Sequence, residues 1–545
     1  MNFDKISRWM LPIAPLVALV ICYFANLNGL SLPATMCAGV AIVCALWWIF
    51  ECLHIAVVGL LPFVALPTLG VVSHREVAEA YGHTMILLLL GGFLLSAAME
   101  RSGAHRRIAI NMVKLVGGRG GKRLVLGFML ATASLSMWIS NSATALMMLP
   151  IALAVLSQAD DPKLRVPLLL GIAYSASVGG MATPIGTPPN VVFMGEMESK
   201  FGVEVPFGTW MMFGLPVTII MLPIIWWWLT RKIDDVRPVS MPSMDSIARN
   251  EVYLLIVFAV TAFLWVFRSS PLGGWTGLLP WDGTLIGDAT IALAASLFLF
   301  ICPSGLNDGE RLMDWDTAAK IPWGILIMFG GGMALATGFD QSGLSVSIGR
   351  QLAFLKEAPP WAIVLSICML VTFLTEITSS TATAMLLLPI LAALSLEVGL
   401  PPELLMLPGT ISCSCAFMLP VATAPNVIVF GAGGIRTDEM ARNGLFLNLI
   451  AAVVITMVSL TVAGMDWMPR LDIVPPVPES ESTDESNASA AIGMGRNHLV
   501  FHPELQPFRV QIHRRTDRGR RRQRLLHRSA QRSHRSLRRE IRRAD

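Results

Sequence analysis

The sequence has little charge for its length. Only 14% of its 545 residues are Asp, Glu, Lys or Arg, whereas 54% are hydrophobic and the mean hydropathy is +0.62. Soluble domains usually carry roughly 25% charged residues, and single hydrophobic cores stop growing near ~250–300 residues. Helices in lipid can be apolar on every side, so the composition predicts an all-α polytopic membrane protein with the lipid bilayer as a partner.

Sequence signatures of catalysis and of transition-metal binding are also lacking. Eight cysteines are present, mostly inside apolar runs, and none has metal-ligand spacing with a histidine. We interpret them as small packing residues. The sequence contains no Ser/His/Asp set, no His-Glu-x-x-His motif and no pair of aspartates within apolar segments. An intramembrane enzyme is therefore disfavoured, and the protein is not expected to be an enzyme.

A cleavable signal peptide is not evident. Lys5 and Arg8 precede a first apolar run, and a second run begins near Pro33, so the first run predicts a membrane helix with a cytoplasmic N-terminus. Most apolar runs are near the ~17–25 residues that a bilayer requires. The eleven predicted spans are 10–27, 33–51, 54–73, 84–100, 165–195, 207–230, 251–267, 286–303, 322–338, 404–431 and 444–466.

Two further apolar stretches, 124–156 and 361–397, are too long for one helix and are interrupted in the middle by small polar residues. A helical hairpin that enters from one side of the membrane and turns at mid-depth explains both the length and the interruption. Non-helical backbone at that depth is tolerated only where it lines protein or a water-filled cavity. The sequence therefore predicts two re-entrant helical hairpins in addition to about eleven transmembrane helices.

Basic residues follow the fourth, sixth and tenth predicted spans. With a cytoplasmic N-terminus, every even-numbered span ends in the cytoplasm, where Lys and Arg are favoured. These residues are Arg101, Arg106, Arg107, Lys114, Arg119, Lys122 and Arg123, then Arg231 and Lys232, then Arg436 and Arg442. The number of spans is therefore self-consistent. It predicts a multi-pass protein of the cell membrane, the bacterial inner membrane, with its N-terminus inside.

The end of the chain, 468–545, differs in composition. An acidic, Ser/Pro-rich stretch precedes residues 491–545, which hold 16 arginines, four acidic residues and no lysine. Such a run could bind anionic lipid or nucleic acid. However, eleven spans place it outside the cell, and arginine and histidine without lysine are typical of a GC-rich reading frame that has slipped. A frame-shifted, non-functional end is the favoured interpretation and a disordered tail the alternative, so no nucleic-acid partner is expected.

The sequence contains an internal repeat of three blocks in the same order. The matched blocks are 90–103 with 330–343, 140–150 with 379–389, and 184–192 with 420–428. The second copies follow the first by 240, 239 and 236 residues, so the blocks are duplicated as one unit. Five predicted spans separate the two hairpins, and because this number is odd the two copies have opposite orientations in the membrane. An inverted repeat is typical of secondary transporters.

The repeat predicts how the chain is divided. The predicted units are N-terminal scaffold helices 1–83, a first repeat 84–232 with hairpin 124–156, connecting scaffold helices 233–317, a second repeat 318–467 with hairpin 361–397, and the tail 468–545. A channel would need a continuous polar path. Because the polar clusters are confined to the two hairpins and the helices that follow them, a carrier is favoured over a channel.

Small polar residues mark the middle of each predicted hairpin, at 140–144 and 378–383, and prolines interrupt the helix that follows each hairpin in repeat order, at 182–190 and 419–426. Proline frees upstream carbonyls, which together with hydroxyl oxygens suit a hard cation such as sodium. Helix N-termini after the breaks present N–H groups to an anion. Close helix packing explains any single small residue, but two matched clusters favour an ion and anion site.

These motifs resemble those of the divalent anion/sodium symporter family, with similarity from about Trp47 to Trp467. The segments that carry the resemblance are 140–145, 182–190, 378–384 and 416–426. The resemblance implies secondary active, sodium-coupled symport of dicarboxylates such as succinate, malate and fumarate, or of citrate or sulfate. It also implies a homodimer in which each protomer has a scaffold part and a transport part that moves like an elevator.

The resemblance implies particular site residues as well. The implied sodium ligands are Ser136, Ser140, Asn141 and the carbonyl of Gly186 in the first half, and Thr375, Ser379, Ser380 and the carbonyl of Ala422 in the second. The implied contacts to substrate carboxylates are Ser140, Asn141, Ser142, Thr187, Ser379, Ser380, Thr381 and Thr423.

The second half departs from the family pattern. The family has Ser-Asn-Thr in each hairpin, whereas here the first hairpin reads Ser-Asn-Ser and the second reads Ser-Ser-Thr. Ser380 therefore places a short hydroxyl where an amide is usual, and Ala424 stands where proline is common. These changes leave open an alternative, an exchanger of dicarboxylates or citrate, or a proton-coupled carrier, of the same fold without net sodium coupling.

Glu376 is an ionisable residue inside the second predicted hairpin, four residues before Ser380, and its first-half counterpart is Met137. A carboxylate at this depth could balance a bound cation or carry a coupling proton. A structural acid that accepts hydrogen bonds is the favoured interpretation.

Overall fold

Apolar runs that are interrupted by proline and glycine fold here as helices separated by short breaks. A computed structural model describes residues 3–117, 120–158, 162–233, 246–269 and 274–463, which belong to one compact unit, and the predicted tail at 468–545 lies outside them. The regular structure of these residues is helical apart from one isolated β-bridge between Pro303 and Arg311. The all-α prediction is confirmed for this part of the chain.

Five helices precede the first repeated block. They are α1 (Phe3–Leu27), α2 (Leu32–Ile49), α3 (Ile55–Gly59), α4 (Leu61–Thr68) and α5 (His74–Tyr81). The predicted span 54–73 is divided at Leu60, because Pro62 in the first turn of α4 cannot continue the hydrogen bonding of α3. Helix α5, which the sequence analysis did not predict, begins with a capping box formed by Ser73 and Glu76.

The first repeat contains seven helices. They are α6 (Thr84–Ser102), α7 (Ala104–Gly117), α8 (Gly121–Ser136), α9 (Asn141–Leu156), α10 (Arg165–Gly180), α11 (Pro188–Phe201) and α12 (Phe207–Thr230). The predicted first hairpin corresponds to α8 and α9, joined by a turn at 137–140. The predicted span 165–195 corresponds to α10 and α11, which are separated by a break at the expected prolines.

Three helices connect the two repeats: α13 (Arg249–Val266), α14 (Asp288–Ile301) and α15 (Trp315–Ala318). The buried carboxylate of Asp288 at the start of α14 pairs with Arg268 at 2.6 Å and accepts from the amide of Phe207 at 2.8 Å. This buried pair joins the connecting helices to the beginning of α12.

The second repeat contains the same succession of seven helices. They are α16 (Trp323–Gln341), α17 (Leu344–Gln351), α18 (Pro360–Thr375), α19 (Ser380–Val398), α20 (Pro402–Ser412), α21 (Ala424–Gly431) and α22 (Thr437–Ala463). The correspondence extends to the backbone, since Gly103 after α6 and Gly343 after α16 both have φ of +76°, a conformation that favours glycine. The duplication read from the sequence is thus also a duplication of helix order.

Eight helices of the described residues are long and apolar enough to cross a membrane, so the protein is a multi-pass membrane protein. This number differs from the eleven predicted spans because proline breaks and short helices divide some of them. The eight are Ile6–Leu27, Leu32–Ile49, His74–Ser102 (α5 and α6 together), Phe207–Thr230, Arg249–Val266, Trp323–Gln341, Ser380–Val398 and Thr437–Val462. One of them, Ser380–Val398, belongs to the second predicted hairpin.

The two repeats interlock around the broken helices. Helix α10 packs on α8 and α9, and α20 packs on α18 and α19, each within its own repeat. Beyond the break the partners are exchanged, because α11 packs on α19 and α21 packs on α9. A buried contact joins the halves at the centre, where the Tyr174 hydroxyl donates to the carbonyl oxygen of Phe417 at 2.8 Å.

Candidate functional site

The first hairpin turn presents a helix N-terminus. Helix α8 ends at Ser136 and α9 begins at Asn141, and Ser140 caps α9 by accepting from the amide of Ala143 at 3.3 Å. The second turn has the same length, but Ser379 at the start of α19 makes no such capping bond. The hydroxyl of Ser379 is therefore not engaged by its own helix.

An asparagine closes each break in the broken helices. Asn190 Nδ2 donates to the carbonyl oxygens of Gly180 (2.9 Å) and Thr183 (2.8 Å), which lie 10 and 7 residues earlier. Asn426 Nδ2 donates to the carbonyls 10 and 7 residues before it, at 3.0 and 3.1 Å. Both asparagines are fully buried. The sequence analysis attributed the breaks to proline and missed this role, although both asparagines lie in matched positions of the repeat.

The predicted first sodium ligands lie together. The side-chain amide of Asn141 is 2.6 Å from the hydroxyl of Ser136 and, on the side that can carry its nitrogen, 3.0 and 3.3 Å from the carbonyl oxygens of Ala176 and Gly186. With three oxygens as neighbours, the amide nitrogen can donate its two hydrogens among them when no cation is bound. When the amide oxygen faces them instead, the group becomes a set of oxygen ligands of the kind that hard cations prefer.

Glycine is required for this close approach. A Cβ at Gly180 would lie 2.5 Å from the Asn141 side-chain oxygen, and a Cβ at Gly186 would lie 2.5 Å from the Gly180 carbonyl oxygen. The backbone of the first break therefore contacts the hairpin turn directly, with no side chain between them.

The predicted second sodium ligands are less closely connected. The Thr375 hydroxyl donates to the carbonyl of Val371 within its own helix at 2.7 Å. Among the described residues, the hydroxyls of Ser379 and Ser380 have no hydrogen-bond partner, and no bond joins them to Thr375 or Ala422. Among the described residues, the second half thus lacks the linked oxygen cluster of the first half.

A cavity of about 1000 Å³ lies between the two hairpin turns. It is lined by every residue predicted to contact substrate, and also by Gly186 and Ala422, whereas Ser136 and Thr375 are fully buried and do not line it. The predicted substrate residues that line it are Ser140, Asn141, Ser142, Thr187, Ser379, Ser380, Thr381 and Thr423. The fold therefore brings together residues that are about 240 positions apart in the sequence.

Charged residues at the edge of this cavity were not predicted to take part in the site. Arg101 lines the cavity and pairs with Asp314 at 2.6 Å. Hydrogen bonds from the side chain and amide of Thr317, together with the charge of Arg101, hold the pKa of Asp314 below its usual range. Lys320 also lines the cavity and has no ion-pair partner among the described residues, so its charge remains available to an anion.

Glu376 accepts three hydrogen bonds at the end of the second hairpin's first helix. The amides of Met418 and Leu419 donate to its two oxygens at 2.8 Å each, and Asn448 Nδ2 donates at 2.6 Å. The residue is only 3% exposed. This geometry agrees with the favoured interpretation of Glu376 as an acid that accepts hydrogen bonds.

The C-terminal end of α11 is bonded to α6 and α16, which belong neither to a hairpin nor to a broken helix. Thr84 at the start of α6 donates to Glu198 at 3.0 Å. Lys200 pairs with Asp340 at the end of α16 at 2.6 Å. The cavity is lined by the opposite ends of the same two helices, near Arg101 of α6 and at the beginning of α16. The cavity and these bonds therefore lie at opposite ends of α6 and α16.

Comparison with known proteins identifies the family. The transmembrane region of the sodium:sulfate symporters matches residues 5–470. The chain belongs to this family. It is 39% identical over 469 residues to the sodium-dependent dicarboxylate transporter SdcS of Staphylococcus saprophyticus, covering 82% of this chain and 89% of that protein. It is 38% identical over 489 residues to SdcS of Staphylococcus aureus strain USA300, covering 86% and 92%. The predicted family and the prediction of sodium as the coupling ion are confirmed.

Solved structures of transporters share the fold. The YdaH transporter of Alcanivorax borkumensis has a TM-score of 0.54 at 15% identity, covering 72% of this chain and 89% of that chain. MtrF of Neisseria gonorrhoeae has a TM-score of 0.51 at 14% identity, covering 71% and 82%. At these identities the similarity extends to the fold alone.

Proposed function

We propose that the protein is a secondary active transporter that couples sodium to the symport of dicarboxylates such as succinate, malate and fumarate, or of related divalent anions. The observation that carries this proposal is the convergence of both duplicated hairpins and both broken helices on one cavity. The relatives named as sodium-dependent dicarboxylate transporters support the substrate class.

The cavity suits an anion with two carboxylates because four helices begin at its wall. Helix α9 packs on α21, and α19 packs on α11, so each hairpin N-terminus is paired with a broken-helix N-terminus from the other half. Each N-terminus carries about half a positive charge from the helix dipole. Free amides are few at the starts of α11 and α21, where prolines at 188, 189 and 425 have no N–H, so the dipole and the nearby hydroxyls would supply most of the attraction. We infer that each pair receives one carboxylate, with hydroxyls such as those of Ser142 and Thr381 as further donors.

Sodium would bind behind these carboxylate positions. In the first half the proposed ligands are Ser136, Ser140, Asn141 and the carbonyl of Gly186, and the short distances among three of them support this assignment. In the second half they are Thr375, Ser379, Ser380 and the carbonyl of Ala422. A bound cation at each position would neutralise repulsion between the substrate's carboxylates and nearby carbonyl oxygens.

The architecture we propose is an elevator. Helices α8–α12 and α18–α22 would form the transport part, with α8–α9 and α18–α19 as re-entrant hairpins of an inverted repeat, and the helices of 1–83 and 233–317 would form a scaffold that pairs in a homodimer. With a cytoplasmic N-terminus in the bacterial inner membrane, Arg101 and Lys320 lie on the cytoplasmic side. The cavity then opens inward, and the bonds at the end of α11 close the outer side.

An exchanger or proton-coupled carrier of the same fold is the second candidate. The observation that favours it is the second hairpin, where Ser380 offers a hydroxyl in place of an amide and is not bonded to its neighbours in the described residues. Without a second cation, net coupling to sodium would be weakened or lost.

Uptake of labelled succinate into proteoliposomes separates these functions. Accumulation that depends on an inward sodium gradient is the expected result for the symporter. Uptake that requires internal dicarboxylate and ignores sodium would identify an exchanger. Uptake driven by a proton gradient without sodium would identify a proton-coupled carrier, and no uptake would direct the assay to sulfate and citrate.

A further inference from the structure

The second broken helix ends one turn earlier than the first. Helix α20 ends at Ser412, which the repeat aligns with Ala176, whereas α10 continues to Gly180. Ending a helix early releases backbone amides that must find other acceptors, because a buried amide without a partner is costly. The released amides in the second half are those of Phe417, Met418 and Leu419.

Two side chains accept bonds from these three successive amides. Glu376 accepts from Met418 and Leu419, and the side-chain oxygen of Asn448 in α22 accepts from Phe417 at 3.1 Å while its nitrogen donates to Glu376. Both carboxylate oxygens act as acceptors, as in the ionised form of the group. The network ties the hairpin turn, the break and α22 into one piece.

The same network reaches the predicted cation ligand of the second half. Leu419, whose amide is held by Glu376, uses its carbonyl oxygen to accept from the amide of Ala422 at 3.2 Å and from Asn426 Nδ2 at 3.1 Å. Two hydrogen bonds therefore separate the carboxylate of Glu376 from the backbone of Ala422, which lines the cavity. A change at Glu376 would be transmitted to that wall of the site.

The first half makes the equivalent link without a charge. There the Thr183 hydroxyl donates to the carbonyl oxygen of Met137. Met137 and Thr183 are the repeat counterparts of Glu376 and Leu419. In both halves, the same two repeat positions thus join the hairpin turn to the break in the broken helix. The bond is between neutral groups in the first half and involves a carboxylate in the second half.

We propose that Glu376 is a positioning residue for cation binding in the second half. It does not line the cavity, and it acts by fixing the unwound backbone at 417–422 so that the Ala422 carbonyl faces the site. The carboxylate adds a negative charge on the side where Ser380 replaces an amide ligand. This inference rests on the proposed sodium-coupled function.

The test compares E376Q with the wild type in proteoliposomes, measuring the sodium concentration for half-maximal succinate uptake and, separately, the succinate KM at saturating sodium. A glutamine turns one acceptor into a donor facing amides that also donate. The expected result is an increase of about tenfold or more in the half-maximal sodium concentration, with a change below about threefold in the succinate KM. The matched control T183V, which removes the neutral link of the first half, should leave the second cation's affinity less affected.

Two further variants keep the test decisive. N448A keeps the Glu376 carboxylate but removes the acceptor for Phe417 and the donor to Glu376. It should shift the sodium dependence in the same direction as E376Q, and it provides the test if E376Q fails to fold. In E376Q/N448D a carboxylate is restored to the network at position 448. The half-maximal sodium concentration should therefore return at least part of the way to the wild-type value. A sodium dependence of E376Q equal to that of the wild type would overturn the inference. A wild type that ignores sodium would overturn the proposed function and this inference together.

Discussion

The two broken helices end in different surroundings, and the difference distinguishes the two sides of the protein. Beyond its break, α11 is bonded at its far end to α6 and α16, through Glu198 and Lys200. The corresponding end of α21 is instead bonded to α10, since Arg165 donates to the carbonyl oxygens of Ala432 and Gly433 at 3.2 and 3.0 Å. The end of α11 is therefore bonded to helices outside the proposed transport part, whereas the end of α21 is bonded to α10 within it.

The two hairpin turns also differ in how they pack against the rest of the protein. Trp138 in the first turn stacks on Phe207 with ring centroids 6.0 Å apart and meets Phe258 edge-on at 5.4 Å. Its counterpart in the second turn, Ile377, is 63% exposed and lines the cavity. Packing therefore fixes the first turn against α12 and α13, whereas the second turn is exposed to the cavity.

The backbone near the two turns differs as well. Gly180 and Gly186 of the first break correspond to Ala416 and Ala422 of the second, and Asn141 corresponds to Ser380. In the first half the Asn141 side-chain amide contacts glycine backbone directly. In the second half the corresponding positions have the methyl groups of alanine and the short hydroxyl of Ser380. The halves share a helix order but not the chemistry of their proposed cation ligands, so we expect the cation affinity to differ between them.

The largest effect is expected from locking the end of α11. Cysteines replacing Thr84 and Glu198, bridged by a short bis-methanethiosulfonate that attaches through disulfides, should stop succinate uptake completely in a background lacking Cys22, Cys52 and Cys302. Reduction of the two disulfides should restore uptake. Bridging Thr456→Cys to the native Cys368 is the control and should leave most activity, because both residues lie within the proposed transport part, where the Thr456 hydroxyl oxygen is 3.7 Å from the Cys368 sulfur. Continued transport in a fully bridged 84–198 variant would show that α11 does not move relative to α6.

A methyl group at the first break should have the next largest effect. In G180A the new Cβ would lie 2.5 Å from the Asn141 side chain. Overpacking costs ~1–3 kcal/mol, so sodium-driven uptake should fall by roughly 5- to 150-fold. The reciprocal change A416G in the second break is the matched control and should reduce uptake by less than about threefold. Equal losses in the two variants would contradict the difference between the halves.

Restoring an amide to the second hairpin should have a smaller and opposite effect. In S380N the added amide oxygen is expected to lower the half-maximal sodium concentration roughly three- to tenfold, measured as sodium-dependent succinate uptake. S142T, which enlarges the side chain next to Asn141 in the first hairpin without adding an amide, serves as the control. An unchanged sodium dependence in S380N would indicate that the second half does not bind the coupling ion.

The repeat, the two interrupted stretches and the proline breaks were readable from the sequence because each leaves a local pattern. Thr187 and Thr423, which the family resemblance implied as substrate contacts, both line the cavity. What could not be read depends on contacts between distant residues. The links from Thr183 to Met137 and from Leu419 to Glu376 use residues 46 and 43 positions apart, and the exchange of partners between α11 and α21 has no local signature.

The number of spans was also difficult to predict, for a physical reason. Hydropathy identifies apolar length, but proline decides where a helix ends, as in the division of 54–73 at Leu60. Short polar helices such as α5, α7 and α17 carry no apolar signal and were not predicted.

The central claim is that the two halves form one site for a dicarboxylate and sodium. Equilibrium binding of labelled succinate to the purified protein in detergent tests it most directly, with sodium chloride compared against choline chloride. The account predicts saturable binding in sodium alone, and its loss in both Ser140→Ala and Ser379→Ala, one from each half. Equal binding in choline, or binding that either variant leaves intact, would contradict it.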